Sequence, residues 1–137
     1  MENENRQPLL SVKDLRIHFS TDHGYVQAVR GVSFDLYKGE TLCIVGESGS
    51  GKSVFTKSFI GMLDSNGSIV GGSIMFEGID IAKYTTEEQW LKIRGKKIAM
   101  VFQDPMTSLN PLKIIGEQIR EVIEMHQGIT GEESKQM

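Results

Sequence analysis

The chain has 137 residues, enough for one small domain with a hydrophobic core. Its composition, 39% hydrophobic and 24% charged residues, is typical of a globular protein, and its formal net charge of -3 argues against a nucleic-acid binder that relies on a basic face. Its apolar runs are far shorter than the roughly 20 residues that span a bilayer, and no signal-peptide pattern precedes them, so we expect a cytosolic protein.

The first part of the chain predicts an antiparallel hairpin. Residues 1–8 are polar, and we expect them to be disordered. Residues 9–19 nearly alternate between apolar and polar side chains, with one slip at Lys13-Asp14 that suits a β-bulge. After a polar turn, residues 25–37 alternate in the same way and lead into a second turn at Lys38-Gly39.

The next segment predicts a strand, a loop and a helix in that order. Residues 41–45 are a short apolar run that suits a buried parallel strand, and we expect Cys43, the only cysteine, to be a small buried side chain within it. Residues 46–53 read GESGSGKS and match the pattern G-x-x-x-x-G-K-[ST] at every fixed position. From Gly51 to about Met62, apolar residues recur at helical spacings. The pattern therefore lies in the setting of a phosphate-binding loop.

The residue types of this loop explain how it binds phosphate. Its glycines permit positive φ angles and bring bare backbone N–H groups to phosphate oxygens, and the start of the helix adds further unpaired N–H groups. Lys52 can reach the β- and γ-phosphates, and the hydroxyl of Ser53 can ligate Mg²⁺. The candidate nucleotide-binding residues are Gly46, Glu47, Ser48, Gly49, Ser50, Gly51, Lys52, Ser53 and Val54.

The middle of the chain predicts small elements. Residues 64–72 are rich in Gly, Ser and Asn and predict a connection, which residues 73–81 follow as a short edge strand with a turn at Glu77-Gly78. Residues 86–89, TEEQ, match a capping box, so we expect a short helix to begin at Glu87.

The last part predicts a second buried strand and a helix. Residues 98–102 are a continuous apolar run and suit a parallel strand that ends at Gln103. Asn110-Pro111 predicts the start of a helix that runs to about Gln127. Its apolar stripe comprises Leu112, Ile115, Ile119, Val122 and His126. Residues 130–133, TGEE, are another capping box four residues before the chain stops, which we interpret as a truncated helix.

Several stretches together resemble the nucleotide-binding subunits of ABC transporters, most closely those of oligopeptide and dipeptide importers. They are residues 15–19, AVRGVSF at 28–34, the loop at 46–53, and VFQDPMTSLNP at 101–111. The resemblance implies an α/β fold, a P-loop NTPase core of the ABC ATPase type with an N-terminal antiparallel β subdomain. Residues 9–137 correspond to the N-terminal part of such a domain, truncated before the signature helix and the Walker B strand.

The resemblance also assigns residues outside the loop. A glutamine after a core strand contributes to the Mg²⁺ and attacking-water site in this family; Gln103 matches it, and an amide oxygen is a suitable ligand for a hard cation. We therefore name Lys52 and Gln103 as the candidate catalytic residues. The aromatic residue that stacks on adenine matches Phe19, with Tyr25 as the rival because the polar turn leaves the alignment open. The alternatives are that Gln103 only ends a strand and that Phe19 is a core residue.

The function implied by the resemblance is binding of ATP with Mg²⁺ and, in the complete protein, ATP hydrolysis that energises peptide import. The expected partners are membrane-spanning permease subunits, which contact the loop after Gln103, and a second ATPase subunit. The two ATPase subunits form a dimer, which we expect to be a heterodimer in the complete transporter. Nucleic acid is not expected as a partner. Such a subunit is peripheral on the cytoplasmic face of the cell membrane.

One departure leaves an alternative open. The signature segment, the Walker B acidic strand end, the catalytic glutamate and the switch histidine are absent from the 137 residues, so the chain can equally be a nucleotide-binding fragment without turnover. A more distant alternative is another P-loop kinase or GTPase, against which the VFQDP run argues.

Overall fold

The computed structural model describes residues 7–129. Most of the segment expected to be disordered, residues 1–6, and the capping box at 130–133 lie outside the described residues. The chain divides into two compact units, Met1–Leu91 and Lys92–Met137.

The first unit is built on an antiparallel sheet of four strands in the order β2-β1-β3-β4. The strands are β1 (Leu10–Thr21), β2 (Gly24–Leu36), β3 (Gly67–Phe76) and β4 (Ile79–Asp80). β1 lies inside the sheet, paired with β2 on one side and with β3 on the other. The predicted N-terminal hairpin and antiparallel subdomain are therefore confirmed.

The slip that the sequence shows at Lys13-Asp14 is a β-bulge in the structure. The register of β1 shifts between Val12 and Leu15 against β2, and Asp14 adopts a positive φ of 44°. The carboxylate of Asp14 accepts two hydrogen bonds from Arg16, 2.9 and 3.2 Å long, which raises the pKa of the Arg16 guanidinium. The extra residue keeps Leu15 and Ile17 on the buried face, where both are inaccessible to solvent.

Strand β3 corrects two predictions. It begins at Gly67, within the segment 64–72 that was expected to be a connection, and it lies inside the sheet rather than at its edge. Pairing with β1 outweighs the weak strand propensity of Gly and Ser, and Gly67 fits because a Cβ there would lie 2.7 Å from Cε1 of Phe19. The predicted turn at Glu77-Gly78 is confirmed, with φ angles of 48° and 82° that suit a tight hairpin.

A helix and its aromatic side chains cover this sheet. Helix α1 (Lys52–Ser58) begins where the sequence predicts but ends four residues before Met62. Phe55 and Phe59 of this segment pack edge-to-face with ring centroids 4.8 Å apart, and Phe34 of β2 lies 5.7 Å from Phe55. The most buried aliphatic side chains are Val12, Leu15, Ile17, Ile74 and Ile81. These aliphatic residues come from β1, from β3 and from the 3-10 turn at Ile81–Lys83, so the core lies against the two central strands of the sheet.

The predicted capping box at residues 86–89 is confirmed. Helix α2 (Glu87–Leu91) begins one residue after Thr86. The hydroxyl of Thr86 accepts a hydrogen bond from the backbone N–H of Gln89 (3.4 Å), and the side chain of Gln89 accepts one from the N–H of Thr86 (3.1 Å). This helix buries Trp90, whose indole lies against Gly61 just after α1.

The two predicted buried parallel strands are wrong for this structure. Residues 41–45 form no strand and are exposed, with Val45 at 87% and Cys43 also exposed rather than buried. Residues 98–102 contribute only a single bridge, from Ile98 to Arg94, and Val101 is 90% exposed. A parallel strand needs hydrogen-bonding neighbours and cover on both faces, and no segment within residues 7–129 supplies them to either run.

The second unit carries helix α3 (Ile115–Gln127), which ends at Gly128 in the left-handed conformation. The helix begins five residues after Asn110, because Asn110 instead stabilises a turn through a 2.9 Å hydrogen bond from the N–H of Leu112 to its side chain. The predicted apolar stripe is largely exposed, with Leu112 at 92%. Only His126 is half-buried, and it lies against Gly95. Among the described helices, none is long and apolar enough to cross a membrane.

Candidate phosphate-binding site

Two of the three glycines in the loop at residues 46–53 have the positive φ angles that the sequence predicts. Gly49 and Gly51 adopt positive φ angles of 79° and 90°. The N–H of Ser50 donates to the carbonyl oxygen of Glu47 at 3.2 Å, which closes a turn inside the loop. The N–H of Phe55 donates to the carbonyl oxygen of Gly51 at 2.9 Å, so α1 starts directly from the end of the loop.

The ammonium group of Lys52 lies over this loop. Its Nζ donates to the carbonyl oxygens of Gly46 and Glu47, both at 2.6 Å, and to Oγ of Ser50 at 3.2 Å. All three hydrogen bonds are exposed to solvent, so their acceptors can be exchanged for the oxygens of a ligand. The structure therefore places one positive charge at the centre of the residues that the sequence assigns to phosphate binding.

Strand β2 supports the loop by direct backbone contact. A Cβ atom at Gly51 would lie 2.6 Å from the carbonyl oxygen of Ala28. Ala28 has no partner on β1, since its neighbours Gln27 and Val29 pair with His18 and Ile17. The sequence gives no signal for this contact, because a bulged alanine looks like any other apolar strand residue.

Two further residues of the site lie at the start of α1. Ser53 is exposed, so its hydroxyl is open to a ligand, whereas Val54 is half-buried. Within residues 7–129, no group of three or more His, Cys, Asp or Glu side chains is arranged to hold a metal ion.

The two candidate adenine-stacking residues differ in exposure. Phe19 is half-buried at the end of β1 and packs against Gly67, whereas Tyr25 is 77% exposed at the start of β2. They are close in the hairpin, since Phe19 pairs with Val26 and Tyr25 pairs with Ser20. Tyr25 also lies 6.5 Å from the ring of His18. Stacking by either ring stays a prediction.

Gln103 belongs to the second unit. It lies in an exposed bend between the apolar run and a short 3-10 turn at Pro105–Ser108. Its exposure leaves the side-chain amide open to ligands, and its part in a Mg²⁺ site stays a prediction.

Comparison with known families agrees with the loop geometry. Residues 29–137 match the ABC transporter family. The chain belongs to the ABC transporter family. This membership confirms the resemblance of the loop and of the VFQDP run, and it sets aside the alternative of an unrelated P-loop kinase or GTPase.

Relatives of the chain include ATP-binding proteins of oligopeptide transport. The oligopeptide transport ATP-binding protein AmiE of Streptococcus pneumoniae serotype 4 is 49% identical over 134 residues, which cover 98% of this chain and 38% of the relative. The oligopeptide transport ATP-binding protein OppD of Bacillus subtilis is 52% identical over 128 residues, which cover 93% of this chain and 36% of the relative. The chain therefore spans little more than a third of the length of these relatives.

A solved ABC cassette has the same fold. The dimeric structure of an ATP-binding cassette in a post-hydrolysis state, bound to ADP and phosphate, matches with a TM-score of 0.76 and 25% sequence identity. The match covers 93% of this chain and 53% of the cassette. The predicted fold class, an ABC ATPase core with an N-terminal antiparallel β subdomain, is confirmed.

Proposed function

We propose that this ABC transporter family chain binds ATP with Mg²⁺ through residues 46–53. In the complete protein, the same site hydrolyses ATP to energise the import of peptides. The observation that carries the proposal is the ammonium of Lys52, which lies 2.6 Å from two carbonyl oxygens of a glycine-rich loop anchored on β2. The peptide substrate is supported by the names of the oligopeptide transport relatives.

The loop holds the phosphates mainly through its backbone. Gly49 and Gly51 have positive φ angles, which a phosphate-binding loop uses to turn backbone N–H groups toward an anion. Lys52 exchanges its carbonyl acceptors for phosphate oxygens, which form stronger, charge-assisted hydrogen bonds. The hydroxyl of Ser53 and the amide oxygen of Gln103 are the residues that would hold Mg²⁺, which neutralises phosphate charge when bound.

Catalysis by this set depends on position and charge. Lys52 stabilises the negative charge that develops on the transferred phosphoryl group, and Gln103 orients the attacking water. The adenine ring stacks on an aromatic side chain of the β1–β2 hairpin, either Phe19 or Tyr25. The exposed ring of Tyr25 favours it, because Phe19 is half-buried.

The partners and location follow from the same proposal. A second ATPase subunit completes a dimer, in line with the dimeric state of the solved cassette. Membrane-spanning permease subunits contact the loop after Gln103, so the protein lies on the cytoplasmic face of the cell membrane as a peripheral subunit.

Binding without turnover is the second candidate function of the chain as it stands. The 137 residues contain no Leu-Ser-Gly-Gly signature segment. Within residues 7–129, no strand ends in the acidic pair that supports Mg²⁺ and water. ATP binding and phosphate release measured on one sample separate the two functions. Binding with no release supports the second candidate, and release that requires Lys52 supports the first.

The phosphate site is tested by calorimetric titration with Mg²⁺ and ATP. We expect Lys52→Ala to weaken ATP binding by about 100-fold or more, because the polyphosphate loses its close side-chain cation. Lys57→Ala is the matched control, because it removes a lysine from the same helix. The ammonium of Lys57 lies 4.0 Å from Oδ1 of Asp64, a residue outside the phosphate-binding loop. Equal ATP affinity in the wild type and Lys52→Ala would contradict the proposal.

A further inference from the structure

Gln118 binds the backbone ahead of its own helix with both ends of its side-chain amide. Its Oε1 accepts a hydrogen bond from the N–H of Asn110 at 2.9 Å. Its Nε2 donates to the carbonyl oxygens of Asn110 at 3.0 Å and of Lys113 at 3.1 Å. One half-buried side chain thus occupies both backbone groups of Asn110, as a neighbouring strand would.

The segment that Gln118 holds is a turn of four residues, 110–113, which we call the clamped turn. The side chain of Asn110 accepts from the N–H of Leu112 at 2.9 Å, and the carbonyl oxygen of Asn110 accepts from the N–H of Lys113 at 3.2 Å. Pro111 has no N–H of its own and fixes φ inside the turn. The clamped turn therefore has a defined shape rather than that of an extended linker.

A second contact ties the clamped turn to α3. The ammonium of Lys113 donates to Oε1 of Glu121 at 2.7 Å, one helical turn beyond Gln118. This hydrogen bond, with the charge of Glu121, raises the pKa of Lys113. An ion pair this exposed contributes little, so the neutral hydrogen bonds of Gln118 are the main restraint.

Apolar residues within and beside the clamped turn are exposed. Met106 and Leu112 are 76% and 92% exposed, and Ile114 is 71% exposed. A loop with this composition gains nothing from its own hydrophobic burial, so its shape depends on hydrogen bonds to α3.

We propose that Gln118 is a positioning residue that fixes the clamped turn to α3, so that the loop after Gln103 and this helix move as one body. The consequence for transport rests on the proposed function, in which this loop contacts the permease subunits. Loss of the Gln118 amide then uncouples movement of the loop after Gln103 from movement of α3. The substitution changes no residue of the phosphate-binding loop. Gln118 itself contacts neither ATP nor the phosphate-binding loop in this proposal.

Amide hydrogen exchange tests the clamp directly, on a full-length subunit that contains these 137 residues. We expect Gln118→Ala to accelerate exchange at the N–H of Asn110 by about five- to tenfold, because that N–H loses its acceptor. Gln127→Ala removes the same side chain from the same helix, away from the clamped turn, and leaves the rate unchanged. Alanine is a better helix former than glutamine, so unwinding of α3 would not explain the effect.

A conservative variant separates the two ends of the amide. Gln118→Glu keeps an acceptor for the N–H of Asn110 but loses both donors to the carbonyl oxygens. We expect exchange at Asn110 to fall between the wild-type and Gln118→Ala rates. Equal exchange rates in the wild type and Gln118→Ala would overturn the clamp.

Coupling is measured in the assembled transporter by comparing ATPase activity with and without peptide. We expect Gln118→Ala to lose most of the peptide-dependent stimulation and to keep its basal ATPase rate, whereas Gln127→Ala keeps both. Faster exchange at Asn110 with full stimulation would overturn the coupling role. A wild type that hydrolyses no ATP would instead contradict the proposed function, and the exchange experiment would still decide the clamp.

Discussion

Substitution of Gly51 by alanine tests how the phosphate-binding loop is held on the sheet. Gly51 has a φ of 90°, and its missing Cβ would lie 2.6 Å from the carbonyl oxygen of Ala28. That oxygen belongs to the backbone of β2, so it cannot rotate away as a flexible side chain would. The loop or the strand must therefore move in Gly51→Ala.

The free energy of unfolding that Gly51→Ala is expected to lose has two parts. The left-handed backbone costs an alanine about 1 kcal/mol, and displacement of packed backbone adds about 2 kcal/mol. Gly49→Ala is the matched control, because Gly49 has a φ of 79° but no atom within 4 Å of its Cβ position. It should lose only the first part. The difference between the two variants isolates the contact with Ala28.

Urea unfolding followed by fluorescence measures this difference. Trp90 is the only tryptophan and is buried in the first unit, so its emission reports on the unit that contains the loop. With a slope of about 1.5 kcal/mol per M, we expect the midpoint to fall by about 2 M for Gly51→Ala and by less than half as much for Gly49→Ala. Sucrose is used to keep weak variants folded, because sulfate would compete for the anion site. Equal midpoints for the two variants would refute the close contact.

Three further predictions concern the remaining residues. Gln103→Ala leaves ATP affinity within a few-fold in this chain but impairs hydrolysis and transport in a full-length subunit. A calorimetric titration measures the affinity and a phosphate-release assay measures the hydrolysis. Lost affinity with normal turnover per bound nucleotide would count against this role of Gln103. The 137-residue polypeptide self-associates, because residues 41–45 and 98–102 form no strand and expose apolar side chains such as Val45 and Val101, and it releases no phosphate. Val101→Lys reduces the association in sedimentation velocity. A monomeric sample that melts cooperatively and hydrolyses ATP through Lys52 would overturn it. Glu121→Gln lowers the pKa of Lys113 towards its ordinary value, since the hydrogen bond and charge of Glu121 raise it, and an NMR titration that shows no change would contradict this cause.

The local elements of this protein could be predicted from the sequence. Alternating side chains predicted β1 and β2, and the bulge at Asp14 followed from one slip in that alternation. The capping box at residues 86–89 predicted α2, and the pattern at 46–53 predicted the loop and the start of α1. Each signal depends on residues within a few positions of one another, so it needs no knowledge of the rest of the fold.

Tertiary structure alone decided which apolar runs become strands. Residues 67–72 look like a connection, yet they pair with β1. The apolar runs at 41–45 and 98–102 look buried, but within residues 7–129 they join no sheet, and only Ile98 forms a bridge, to Arg94. The contact of Gly51 with Ala28 and the clamp of Gln118 on Asn110 were equally invisible in the sequence. Strand pairing and close backbone contact join segments far apart in the chain, and their free energy depends on which partners are present to satisfy the N–H and C=O groups.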